Sequence, residues 1–188
     1  MAIQSLEEAK DSLEATPTPR DDDEILKLKG RIRELEEENE ELKKNHARAR
    51  GVPAEDLVAQ MTGGTRTKGY KDLYDVITRK GNHIEVKLSK VHKYRRTSTK
   101  RWTWDSILGP KQYDYLVLAG EKDARWSDAY PPDLEYVFFL VPQSAVKDIN
   151  SVGDCVALNT NFKTARAPKA RVLIDCYLVR SQEQFKNL

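Results

Sequence analysis

An α/β domain carried behind a parallel dimeric coiled coil is the architecture this sequence predicts. Three stretches lead to it. Residues 24–44 repeat apolar side chains every three and four positions. Residues 74–88 alternate apolar and polar side chains about a Gly-Asn turn, and residues 113–120, Tyr-Asp-Tyr-Leu-Val-Leu-Ala-Gly, are almost continuously apolar. The first period is that of a two-stranded helical seam, the second that of a half-buried hairpin. The third fits a strand covered on both faces, in a sheet with helices on each side.

Taken in order, residues 1–23 have weak helical character (Leu6, Ala9, Leu13) that breaks at Thr16-Pro17-Thr18-Pro19. Asp21-Asp22-Asp23 then supplies a cap and a dipole-matched start for a helix. With Ile25 at heptad position a, the a positions are Ile25, Ile32 and Asn39, and the d positions are Leu28, Leu35 and Leu42. Ile at a with Leu at d favours two parallel strands, and one buried Asn at a fixes register. In such a dimer Glu24 meets Lys29, Arg31 meets Glu36 and Glu38 meets Lys43, all opposite in sign. A coiled coil over residues 24–46 therefore predicts a homodimer, with domain boundaries at 1–23, 24–46 and 52–188.

After a basic hinge at His46–Gly51, Pro53 opens a helix to about Met61, its apolar face formed by Ala54, Leu57, Val58 and Met61; Gly63-Gly64 stops it. Residues 62–71 read as a flexible basic loop whose Arg66, Lys68 and Lys71 suit contact with a backbone phosphate. The loop lacks the spacing of a Walker sequence, which speaks against nucleotide binding.

The next stretch carries the chemistry. Tyr74–Thr78 and His83–Leu88 read as strands joined through Arg79-Lys80-Gly81-Asn82. Alternation puts Glu85 and Lys87 on one face and Ile84, Val86 and Leu88 on the other. A three-residue loop, Lys80-Gly81-Asn82, pairs Arg79 with His83, Ile77 with Glu85 and Asp75 with Lys87, so Asp75 joins the polar face. A two-residue loop would turn Asp75 away. Two converging carboxylates repel and are costly to desolvate, so they call for a cation. An all-oxygen site suits Mg²⁺, with Mn²⁺ as an alternative, and leaves room for a phosphate. Lys87 is placed to position water or to stabilise negative charge, an outline of phosphodiester hydrolysis. A solvated Glu-X-Lys charge pair is the plain alternative.

Asp75 followed by Glu85-Val86-Lys87 in a strand preceded by Gly81 resembles the core of the PD-(D/E)XK nuclease superfamily. The resemblance implies a restriction-endonuclease-like mixed central sheet flanked by helices. It assigns metal binding to Asp75 and Glu85, catalysis to Lys87, and a metal-facing carbonyl to Val86. The Pro usual before the Asp is Tyr74 here, the Asp-to-Glu spacing is short, and Asp72 rivals Asp75. A helix before the core often supplies a Glu in this family, and Glu55 matches it; a first-turn Glu on a helix dipole is the plain reading. Gln112 is an auxiliary site candidate. With a similar Tyr-Asp-Tyr-Leu-Val-Leu strand in the family, the resemblance extends over residues 53–145.

Between Glu85 and Asp105 lie seven Lys/Arg and no acid, interleaved with Tyr94, Trp102 and Trp104. Lys90, His92, Lys93, Tyr94, Arg95, Arg96, Lys100, Arg101, Trp102 and Trp104 are candidate DNA contacts; at least one Trp is equally a core residue. Asp105–Gln112 reads as a short helix, residues 121–132 as a polar loop, and Glu135–Val141 as a buried strand before a short helix or turn at Pro142-Gln143-Ser144. Cys155–Leu158 reads as a strand. Ala170–Val179 reads as a helix started near Pro168, with a strand as the alternative, and Lys163, Arg166, Lys169 and Arg171 form a second basic cluster.

Composition bounds the function. Of 188 residues a third are charged, and the net +2 divides unevenly. Residues 1–50 hold 10 Lys/Arg and 14 Asp/Glu, and residues 51–188 hold 22 and 16, so an acidic arm precedes a basic body. Cys155 and Cys176 signal neither a disulfide framework nor a zinc site and read as core residues. No apolar run approaches membrane-spanning length, so a cytoplasmic protein of bacterial, archaeal or phage origin is expected. The leading function is a Mg²⁺-dependent, site-specific DNA endonuclease of restriction or homing type, acting on double-stranded DNA as a homodimer. The alternatives are a junction-resolvase-like nuclease and a non-catalytic DNA-binding or assembly protein. His46, His83 and His92 lack the arrangement of a His-based metal nuclease.

Overall fold

A computed structural model of the chain describes residues 19–67, 73–95, 97–108, 112–151 and 153–188, without the side chains of 19–24 and 39–50. The chain divides into two units between Ala47 and Arg48. Helix α1 runs Pro19–Thr62. Proline is well placed at its first position, where the missing N–H would be unpaired anyway. The fresh helix start expected at Pro53 is not seen, because the helix continues through Pro53. That proline forfeits one i→i−4 bond, which interior helix positions normally resist by about 3 kcal/mol. Ile25, Leu28, Ile32 and Leu35 lie exposed along the first part of α1. Arg31 pairs with Glu34 of its own helix at 3.0 Å. The side chains of Asn39, Leu42 and Lys43, and the segment before residue 19, lie outside the described residues.

The C-terminal unit is a mixed α/β fold. Thr62 ends α1, and Gly63 takes a positive φ of 62° to turn the chain out of it. Strand β1 (Thr65–Arg66) pairs antiparallel with β2 (Val76–Ile77), and β2 with β3 (His83–Ser89). Strand β6 (Tyr115–Gly120) runs parallel to β3, and β7 (Val137–Pro142) antiparallel to β6, giving the order β1-β2-β3-β6-β7. Strands β4 (His92–Lys93), β5 (Lys100–Asp105) and β8 (Cys155–Asn159) form a second, three-stranded sheet. Short helices α2 (Val146–Ile149), α3 (Pro168–Tyr177) and α4 (Glu183–Lys186) follow β7 and β8.

Coverage of the five-stranded sheet explains the near-continuous apolar run of β6. On one face Ala54, Val58 and Met61 of α1, with Phe185, pack on Ile84, Val86, Val117 and Phe138. On the other, Trp102 and Trp104 of β5 and Leu173 of α3 pack on Leu116, Leu118 and Phe139. Gly120 lets Trp102 approach: a Cβ there would lie 2.7 Å from the indole.

Several sequence expectations are corrected. Residues 62–71 are no simple loop, since Thr65–Arg66 joins the sheet edge and Gly64 backs onto the Ile77 carbonyl. Asp105 is strand, not helix start: it pairs with Cys155, and after a left-handed Ser106 (φ 57°) the Ile107 N–H is donated to the Asp154 carbonyl. Residues 124–129 form a 3-10 helix capped by Asp123, where only a loop was expected. Cys176 is exposed rather than core. The β8 strand and the α3 helix form where sequence placed them. No described helix is long and apolar enough to cross a membrane.

Candidate active site

The hairpin that carries the site has an odd loop, as expected, but its register is shifted. Ile77 pairs with His83 and Val76 with Ile84, so Ile77 does not face Glu85 as expected, and Asp75 meets the Ile84 carbonyl through its N–H instead of pairing with Lys87. The turn itself explains the shift. Thr78 N–H donates to the Asn82 carbonyl and Gly81 N–H to the Thr78 carbonyl, while Gly81 takes a φ of 88° that other residues avoid. The turn therefore closes on Thr78 and Asn82, one residue earlier than a Lys80-Gly81-Asn82 loop would close.

Strand β2 ends at Val76, and Asp75 takes over the ladder. Its Oδ2 accepts the Val86 N–H at 2.8 Å, the donor that continued pairing would have given to a carbonyl. Its own N–H donates to the Ile84 carbonyl at 2.9 Å. Along a strand the N–H and C=O of one residue point to the same edge, so the Val86 carbonyl faces the side on which β2 has ended. Stacked rings of Tyr74 and His83, 4.0 Å apart and nearly parallel, flank this edge. Asp114 Oδ2 accepts the His83 N–H at 2.7 Å and fixes the start of β6 against β3.

Glu85 is buried, only 1% exposed. Its Oε1 lies 2.8 Å from Lys87 Nζ, two residues along the same face. Lys87 keeps 22% of its side chain open to solvent, so the ion pair reaches from the core to the surface. Tyr113, which sequence reasoning missed, sits close by and donates its hydroxyl to the Ile107 carbonyl at 2.8 Å. Burial raises its pKa, with smaller contributions from the charges of Glu85 and Asp154, so it remains a neutral phenol beside the carboxylate. The position just ahead of a buried strand was its only signal in the sequence.

The other candidates are distributed as follows. Glu55 is buried on α1 and lies 3.5 Å from Arg66, which also meets Asp56 at 2.6 Å. Arg66 is thus held by two carboxylates instead of standing ready for a phosphate. Gln112 is exposed in the approach to β6. Trp102 and Trp104 are not nucleic-acid contacts: both are buried, with indole N–H groups donated to the carbonyls of Glu121 and Ala119 at 2.8 Å. Burying two tryptophans between the sheets outweighs any surface use. Lys90, His92, Lys93 and Arg95 are exposed, and Lys100 and Arg101 half-buried, on and around the β4–β5 hairpin. Tyr94 lies under two guanidinium groups, Arg101 at 4.0 Å and Arg95 at 5.1 Å. Lys68, Asp72 and Arg96 lie outside the described residues.

Among the described residues no group of three or more His, Cys, Asp or Glu side chains is gathered to hold a metal ion. The sequence candidates Asp75, Glu85 and the Val86 carbonyl are all oxygen donors, the chemistry that a hard divalent ion keeping several of its waters would take.

No protein-family model matches the chain, and no curated protein matches it. Among solved structures, that of a bacterial homing endonuclease, I-Ssp6803I, aligns at 18% identity with a TM-score of 0.43, covering 73% of this chain and 86% of that chain.

Proposed function

We propose that the protein is a divalent-metal-dependent DNA endonuclease that works as a homodimer. The observation that carries this reading is the strand edge where the Asp75 carboxylate is locked on the N–H of Val86, which lies in sequence between a buried Glu85 and the Lys87 paired with it. Asp75, Glu85 and the Val86 carbonyl would hold Mg²⁺, or Mn²⁺. The ion, when bound, supplies a Lewis acid for the phosphoryl oxygen and acidifies water. Glu85 holds the Lys87 ammonium in place, and Lys87 donates to the nucleophilic water or to a non-bridging phosphate oxygen as charge builds there. Tyr113 and the buried wall behind Glu85 exclude bulk water. Water oxygen adds to phosphorus as the P–O bond to the leaving sugar oxygen breaks, and that oxygen takes a proton.

The cationic surface around the β4–β5 hairpin is the DNA-facing side in this reading. Each cation neutralises phosphate without reading sequence. The exposed Ile25, Leu28, Ile32 and Leu35 stripe is the dimer seam, and its flanking opposite charges favour a second copy of the chain in parallel. Two sites related by a two-fold axis would cut both strands of a duplex. The test is cleavage of supercoiled and linear duplex DNA in Mg²⁺, with EDTA and Lys87→Ala as controls. Discrete fragments that vanish in both controls support the proposal. Salt-sensitive DNA binding with no cutting in any divalent ion would leave a non-catalytic binding protein, the reading favoured by the absence of a third gathered carboxylate among the described residues.

A further inference from the structure

A cleft of about 430 Å³ opens beside the catalytic strand, lined by Leu88, Ser89, Lys90, His92, Arg101, Thr103 and Asp105. Its position follows from strand periodicity. Glu85, Lys87 and Ser89 share one face of β3, so Ser89 stands about 6.6 Å along the strand from Lys87. Ser89 Oγ accepts the Thr103 N–H at 2.9 Å, which ties the end of β3 to β5. On β5, Trp102 and Trp104 point into the core, so Arg101, Thr103 and Asp105 point outward. His92 pairs with Arg101 across the β4–β5 ladder and shares that outer face.

The walls are prepared for an anion. The Arg101 guanidinium carbon lies over the Tyr94 ring, 4.0 Å from its centre, a contact that restricts its rotamers. Its Nε is shielded from solvent and has no hydrogen-bond acceptor among the described residues, an expensive state for a charged donor. His92 is held at both ring nitrogens, Nδ1 lying 3.3 Å from the Lys90 carbonyl and Nε2 3.2 Å from Thr103 Oγ1. These two contacts orient the imidazole and the Lys90 backbone on one side of the cleft. Two cations, Lys90 and Arg101, face a single acid, Asp105, at the rim.

We infer that this cleft is a phosphate subsite, taking a backbone phosphodiester next to the scissile one on the strand being cut. Arg101 is its anchor, Lys90 its second cation, and Ser89 and Thr103 its hydroxyl floor. The inference rests on the nuclease reading for its place in the reaction, but its binding chemistry is testable without cleavage. Held there, the neighbouring phosphate fixes the register of the scissile one against Glu85 and Lys87, so Arg101 is a positioning residue.

The experiment measures anisotropy of a fluorescent 20-base-pair duplex in Ca²⁺ against salt for the wild type, Arg101→Gln, Lys87→Ala and Lys147→Ala, with folding checked by circular dichroism. Loss of one phosphate contact removes about 0.9 from the log–log salt slope. Arg101→Gln is expected to lose that much slope and about tenfold in affinity. Lys147→Ala, an equal charge change on the surface of α2, keeps the wild-type slope, and Lys87→Ala still binds. In Mg²⁺, Arg101→Gln is expected to raise KM more than it lowers kcat, as lost ground-state binding does. A folded Arg101→Gln protein with wild-type slope and affinity overturns the subsite even if cleavage is intact. Absence of cleavage with the slope change present removes the nuclease reading and leaves the phosphate contact. Inorganic phosphate protecting the wild type but not Arg101→Gln, with duplex affinity equal in both, assigns the cleft to free phosphate and overturns the proposal.

Discussion

Two buried carboxylates in this protein, Asp123 and Glu85, have opposite surroundings. Asp123 follows β6 and caps the 3-10 helix at Ala124–Ala129. It accepts from Arg125 Nη2 at 2.7 Å and Nε at 3.0 Å, from Thr160 Oγ1 at 2.8 Å, and from the Arg125 N–H at 3.2 Å. The Arg125 hydrogen bonds hold its carboxyl well below the usual range. Tyr130, packed beside it and donating to the Thr160 carbonyl, is pushed up by burial. Every partner there belongs to the loop or to the residues after β8, so the charge is used to fasten two segments together. Glu85 instead lies on the strand whose Val86 N–H holds the Asp75 carboxylate, with Lys87 reaching outward from it. A carboxylate enclosed by fixed donors fastens two segments together, whereas in the proposed reading Glu85, with Asp75 and the Val86 carbonyl, would hold a cation.

That contrast is most directly broken by Glu85→Gln. Cleavage is expected to fall about 10³-fold, the scale at which electrostatic catalytic groups act, with a smaller change in the urea midpoint than any Asp123 variant shows. Retention of wild-type cleavage would make Glu85 a second fastening. Asp123→Ala should do the reverse. It removes the hydrogen bonds that Arg125 and the Thr160 hydroxyl give to the carboxylate, leaving the hydroxyl only the Lys100 carbonyl, and costs about 2–3 kcal/mol in urea unfolding, while cleavage per folded molecule stays at wild-type level.

The pH dependence sharpens the same point. A carboxyl whose folded pKa is depressed stabilises the protein above its unfolded value, and that stabilisation is lost as pH falls through the folded value. The stability gap between wild type and Asp123→Ala should therefore be complete at pH 7 and narrow progressively below about pH 4. A gap unchanged at pH 2.5 would show that the aspartate acts through packing alone. The smallest effect is expected for Thr160→Val, which removes one hydroxyl donor to Asp123 for about 1 kcal/mol and leaves cleavage untouched.

Much of this was legible from short-range pattern. Odd loop parity at Gly81-Asn82, the polar face shared by Glu85 and Lys87, the buried β6 run and the α3 start at Pro168 all follow from periods and turn chemistry within a few residues. The Asp75 register was off by one pair because the turn closes on Thr78 and Asn82, a choice made by backbone bonds that composition does not reveal. Trp102 and Trp104 looked like part of a basic nucleic-acid run because alternation shows which residues share a face but not which face is covered. Arg66 looked free for phosphate because its partners, Glu55 and Asp56, are eleven and ten residues away on a helix.

The sequence by itself determined three pieces: a heptad-patterned helix over residues 24–44, an amphipathic hairpin holding Asp75, Glu85 and Lys87, and a double-covered strand beside it. Only the tertiary structure decided which charges are fastenings and which are exposed to a cleft. That decision depends on long-range contacts. Laying β5 and β8 over one face of the main sheet buries the tryptophans and turns Arg101 outward over Tyr94.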